Sequence, residues 1–129
     1  MGIESGIVAR LNAVSAVTSL VSNRIYADYL PDGSIYPAIV YQVISMTVAP
    51  ALSADTTMRE ARIQLTLIDD SKTGIIVLSD AVQTALNRFK GTASDVSIRD
   101  SRLENLFDQA WDLNTQQTAR IADYLITYQ

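Results

Sequence analysis

Three stretches of the chain alternate, or nearly alternate, apolar with polar side chains, the period-two mark of strands with one buried face. They are Tyr36-Pro37-Ala38-Ile39-Val40-Tyr41-Gln42-Val43-Ile44, Arg62-Ile63-Gln64-Leu65-Thr66-Leu67-Ile68 and Arg120-Ile121-Ala122-Asp123-Tyr124-Leu125-Ile126-Thr127-Tyr128. A helical spacing replaces the alternation near the start, at Ile3, Ile7, Leu11 and Val14, and again at Val17, Leu20 and Val21. It predicts a helix packed on a sheet face, kinked near Asn12 to Ser15. Asn23, which tolerates a left-handed backbone, is expected to end it.

Arg24 to Leu30 reads as a short first strand. The turn Pro31-Asp32-Gly33-Ser34 then brings the chain back alongside it, since Pro fixes φ and Gly permits a positive one. Pro37 cannot donate to a ladder and belongs at the start of the second strand, about Ala38 to Thr47. The connection from Thr47 to Met58 is apolar without clear periodicity. It reads either as a functional loop or as two strands extended into a hairpin.

After the third strand, Asp69-Asp70-Ser71 supplies cap oxygens, and acids suited to the helix dipole, for a helix with Ile75, Leu78, Val82, Leu86 and Phe89 on its apolar face. Arg88 and Lys90 fall in its last turn, with Gly91 at the stop. Val96–Phe107 and Thr118–Tyr128 read as two closing strands joined by the polar stretch from Asp112 to Gln117. The order predicts an α+β fold: an antiparallel sheet of about five strands with two main helices packed on one face.

The 129 residues suit one domain spanning 1–129, in which folding buries about two thirds of the unfolded surface. A hydrophobic share of 48% against 19% charged is ordinary globular composition. Cysteine and histidine are both absent. Disulfides, thiolate or imidazole metal sites and every Ser-His or Cys-His nucleophile are thereby excluded. A net charge of −4 disfavours tight phosphate binding. Neither a signal-peptide pattern nor a myristoylation motif is expected, the latter because Gly6 stands where Ser or Thr is required. No run approaches the ~20 apolar residues that span a bilayer. These features predict a soluble protein made in the cytoplasm, with no membrane association.

Asp100, Glu104, Asp108 and Asp112 recur every fourth residue. They are candidates for a divalent metal or an acid/base pair. In a strand, however, the even spacing places them on one side, as a solvated face opposite a buried one. The Asp69-Asp70 pair is accounted for by the helix cap. Ser5, Ser34 and Ser71 lack a nucleophile-elbow context, and the glycines form neither a dinucleotide nor a P-loop pattern. No catalytic, cofactor-binding or metal-ligating residue is assigned and no cofactor is expected. Tyr26, Tyr29, Tyr36, Tyr41, Tyr124, Tyr128 and Trp111 remain as candidates for interfaces or for half-buried sheet packing.

The succession of Leu20-Val21-Ser22-Asn23-Arg24-Ile25-Tyr26, Leu30-Pro31, Tyr36-Pro37-Ala38-Ile39-Val40-Tyr41-Gln42, Arg62-Ile63-Gln64-Leu65, one amphipathic helix and a closing strand pair resembles the tail terminator, or tail completion, proteins of long-tailed bacteriophages. The resemblance covers nearly the whole chain. It departs at Asn23, where members often carry Gly. It implies a small α+β structural protein, not an enzyme, that sits in the virion at the tail-neck junction and is made in the host bacterial cytoplasm. It further implies a hexameric ring of self-associated subunits that caps the tail tube, touches the tail-tube protein and the head-completion or connector protein, and lets DNA pass without specific binding.

The expected contact surface is the Thr47–Met58 connection and its flanks, with Met46, Val48, Pro50, Leu52, Met58 and Trp111. Flexible apolar side chains on a loop are otherwise hard to justify. The alternatives are a head-to-tail neck or stopper protein and, in a different class, a metal-dependent enzyme or ligand-binding domain using the carboxylates of Asp100 to Asp112.

Overall fold

A computed structural model describes residues 2–31, 33, 35–49, 58–112 and 117–129. Three helices and six strands lie among them: α1 (Ile3–Ala13), α2 (Ser15–Val21), β1 (Ile25–Ala27), β2 (Ala38–Ala49), β3 (Met58–Asp69), α3 (Lys72–Leu86), β4 (Gly91–Ala93), β5 (Val96–Asp112) and β6 (Gln117–Tyr128). The strands form one sheet in the order β1-β2-β3-β6-β5-β4. The α+β class stands. The sheet has one strand more than the alternation indicates, and the N-terminal helix is two.

The division of that helix has a geometric cause. Ile3, Ile7 and Leu11 are buried on one stripe, and Val17 and Val21 on the next. At 100° per residue, an unbroken helix would carry Val17 about 240° round from Leu11, away from the sheet. Val14 resolves the conflict by adopting an extended conformation (φ −103°, ψ 114°), closing α1 and opening α2. Its β-branched side chain suits that backbone, and it packs against the core. The positive φ expected at Asn23 belongs to Ser22 (φ 55°), because the turn closed by Arg24 N–H on Val21 O (2.8 Å) centres one residue earlier.

β1 runs parallel to β2, with Ile25 opposite Ile39, where the sequence predicts an all-antiparallel sheet. The segment between them is too long for a tight hairpin. Tyr26, Leu30 and Tyr36 pack on Val40, Ile68 and Ala119, on the sheet face away from the helices. The remaining pairs are antiparallel. Alternate residues of β3 and β6, including Ile63, Leu65, Leu67, Ala122, Tyr124 and Ile126, meet Ile7, Leu11, Val17, Leu78 and Val82 in one continuous core.

Ser71 caps α3, its hydroxyl accepting from Gly74 N–H at 3.0 Å. The other end departs from the sequence reading. The helix stops at Leu86, Arg88 takes the positive φ (63°), and Gly91 (φ 150°) begins β4. Phe89 leaves the helix and lies under the Arg10 guanidinium, 4.0 Å from its ring centre, while Arg10 Nε donates to Ala85 O at 2.8 Å. That clasp joins α1 to the end of α3 and turns the chain toward the sheet edge.

Candidate assembly surface

The strongest candidate for function is the outer side of β2. From Ala38 to Ala49 the strand contains neither a charge nor a proline. β1 covers it only from Ile39 to Tyr41, the last contact being Asp28 N–H on Tyr41 O at 2.9 Å. Beyond Tyr41, no described strand pairs with that side. Unpaired strand edges are templates for further strands, and natural proteins blunt them with charge, proline or cover. This one has only a bulge between Val43 and Ser45.

Side chains reinforce the reading. Met46 and Val48 are 62% and 65% exposed, high for large apolar groups on a regular strand. Both fall on the helix side of the sheet, in rows with Ala61 and Tyr128. The Tyr128 hydroxyl donates to Met46 Sδ at 3.8 Å. Of the other residues assigned to the contact surface, Met58 opens β3 opposite Ala49 and is half-buried. Trp111 lies within β5, with its side chain outside the described residues, and Pro50 and Leu52 fall outside them altogether.

The described members of the acidic series do not share one side of the strand. Register shifts between Ile98 and Asp100 and between Leu103 and Asn105 break the even phase. Asp100 meets Arg88 (3.2 Å) and Arg102 (3.9 Å). Glu104 reaches Arg62 (3.9 Å) on the face away from the helices. Asp108 turns to the helix side, where it accepts from Arg120 Nε (2.6 Å) and from Lys72 Nζ. Hydrogen bonds from Arg120 and then Lys72 bring its pKa down to about 2. The Asp112 side chain lies outside the described residues. Among those residues, no group of His, Cys, Asp and Glu could hold a metal ion, and no helix is long and apolar enough to cross a membrane.

β5 carries the other open rim. β4 pairs with Val96–Ile98. Arg88 N–H then donates to Ser101 O at 2.5 Å, and Asn87 Oδ1 accepts from Leu103 N–H at 3.2 Å. From Asn105 on, the described backbone has no outer strand. Leu106 and Phe107 are exposed there. Sequence reasoning missed this rim because a strand's outer neighbours depend on pairing order, which periodicity does not encode.

Residues 5–121 match the family described as tail completion protein gp17. The chain belongs to that family. Tail completion proteins are structural components of phage tails, and this one is a phage-type virion component. A solved chain from "Virion of native gene transfer agent (GTA) particle" has the same fold, with a TM-score of 0.72 over 98% of this chain and 93% of that one at 12% identity. No curated protein matches the chain.

Proposed function

We propose that this tail completion protein caps the head-proximal end of the tail tube as a closed ring, with six copies as the working number. The ring stops tube growth and presents the surface to which the head connector joins. The observation that carries the reading is the uncharged, unpaired outer side of β2 with Met46 and Val48 exposed on it, in a chain of this family. A subunit that acts by contact needs such rims and no reactive centre. Met46, Val48, Pro50, Leu52, Met58 and Trp111 are the residues proposed to meet a neighbouring copy or the tube. DNA slides through without specific contact, in keeping with a net charge of −4.

Polymerising tail-tube subunits mixed with the protein test this directly by electron microscopy. Tubes capped at one end and shorter on average are the expected result. A length distribution unchanged by the protein rejects the terminator role and favours a stopper, which has no reason to touch free tube protein.

A further inference from the structure

We infer that successive copies join by antiparallel pairing of the β2 rim of one subunit, Gln42–Ala49, with the β5 rim of the next, Asn105–Asp112, so that one sheet runs on from copy to copy. The inference rests on the ring reading above and adds to it the strands, direction, register and tilt of the contact.

Five features of the single chain fit together. Direction is the first: three antiparallel steps, β2 to β3 to β6 to β5, leave β2 and β5 running opposite ways. A copy related by simple rotation therefore offers β5 antiparallel to β2, and all subunits point the same way, as a heterologous ring requires.

The second is length. The cover of β1 stops at Tyr41 and β2 ends at Ala49, while the Asn87 contact stops at Leu103 and β5 ends at Asp112. Each open stretch is eight residues long. β1 covers the lower half of one rim and β4 the upper half of the other, so the two edges are stepped in opposite senses. They mate like a half-lap joint, with Val48 opposite Leu106, and neither short strand obstructs the other.

Backbone phase is the third. Ile39 donates outward to Arg24 O, and Tyr41 accepts from Asp28; the bulge between Val43 and Ser45 shifts that alternation by one, which turns Met46 and Val48 outward. On β5, the outward Leu103 N–H and the bulge at Leu103/Asn105 turn Leu106 and Asp108 outward. All four lie on the helix side of the sheet, in the rows of Ala61, Tyr128, Ala122 and Arg120. Pairing them keeps the helices of every copy on one side. The Leu106 N–H is capped by its neighbour Asn105 Oδ1 (3.0 Å), a local bond that an incoming carbonyl replaces.

Charge is the fourth. The β2 rim has none, and the β5 acids Glu104 and Asp108 are already paired with Arg62, Arg120 and Lys72 of their own subunit. Where Met46 meets Asp108, the joint therefore buries no lone carboxylate.

Closure is the fifth. The rows of Val48 and Leu106 are six positions apart along β3, a rise of about 20 Å at 3.4 Å per residue. The four strands of the repeat are about 19 Å across at 4.8 Å each. Equal rise and width give a strand tilt of about 45° to the ring axis, at the edge of the range in which closed sheets are found.

The absence of native cysteine makes the test clean. Chains carrying both Val48→Cys and Leu106→Cys, oxidised after assembly, should give a ladder of disulfide-linked multimers on a non-reducing gel. An equal mixture of the two single variants should give only dimers of unlike chains. Dimers from V48C alone would overturn the inference in favour of a two-fold rim, and so would no cross-link in chains that still assemble. Hydrogen exchange on the unaltered protein is an independent measure. Amides 46, 48, 106 and 108 should slow at least tenfold on assembly, and unchanged rates count against the joint. Tube capping is scored in parallel: capping without cross-links removes the joint and keeps the cap, cross-links without capping do the reverse, and loss of both removes both.

Discussion

The carboxylate of Asp69, the last residue of β3, occupies the space that a side chain on Gly74 would need. A Cβ built on Gly74 runs into Asp69 Oδ2 and stands 2.9 Å from its Cγ and 3.0 Å from Ser71 Oγ. Asp69 is held there by the Asp70 N–H, which its Oδ1 accepts at 2.7 Å. Alanine would favour an isolated helix by about 1 kcal/mol over glycine. Here Gly74→Ala should instead destabilise the fold by about 1–3 kcal/mol through overpacking of the cap. Urea unfolding decides it, and a variant as stable as the parent would show that the cap yields freely.

That cap also marks how far the sequence could be read. Ser71 as the start of α3 was legible, since a short polar side chain before an apolar helical stripe has few other uses. The role of Asp69 was not. Its carboxylate is buried against Gly74 in the first turn of the helix, and burial raises its pKa. Likewise β2, β3 and β6 announced themselves by alternation, because each has one face on the core. β4 did not, for three residues beginning at a glycine carry no period. The parallel setting of β1, the β5 bulges and the open rims depend on which strands lie side by side, a non-local outcome. Met46 and Val48 are exposed, and so are Leu106 and Phe107 on β5, whose exposure the acidic spacing of that strand does not signal.

Acid should unfasten one corner of the molecule. Asp108 has its pKa lowered to about 2 by hydrogen bonds from Arg120 and Lys72. A carboxylate with a depressed pKa stabilises the folded state above its ordinary value of 3.8, and the contribution fades as pH falls from there through about 2. Asp69, with its raised pKa, works in the opposite sense and is eased by protonation. Asp108→Asn should therefore melt below the parent at pH 7, and the two curves should converge near pH 2. A gap that persists at pH 2 would mean that Asp108 contributes by packing rather than by charge.

The clasp of Arg10 makes a separate, pairwise prediction. Its guanidinium lies 4.0 Å from the Phe89 ring centre, and its Nε donates to Ala85 O at 2.8 Å. Arg10→Ala loses both contacts and should cost about 1–2 kcal/mol, combining a cation–π term with a charged hydrogen bond. Phe89→Leu removes only the ring. The double variant should fall short of the sum by about 0.5–1 kcal/mol in a double-mutant cycle, whereas additive losses would show that ring and guanidinium act independently.

Tyr124 offers the sharpest contrast between burial and bonding. Its side chain is 1% exposed at the centre of the core, between Ile63 and Leu103 on the neighbouring strands. Its hydroxyl is buried with no hydrogen-bond partner among the described residues. Removing an unsatisfied buried hydroxyl relieves its desolvation cost without leaving another group stranded. Tyr124→Phe should accordingly be neutral or stabilising, by up to about 1 kcal/mol. Burial also pushes the phenol pKa well above its ordinary 10.0. The folded chain keeps this proton while the unfolded chain releases it, so stability drains away as pH rises past 10. The variant should lose stability more slowly than the parent between pH 9 and 11 in thermal melts. In an alkaline absorbance titration, one of the parent's six tyrosines should ionise only on unfolding, and that late step should vanish in the variant. A phenylalanine variant that is less stable at neutral pH would mean that the hydroxyl is held by a water the core admits.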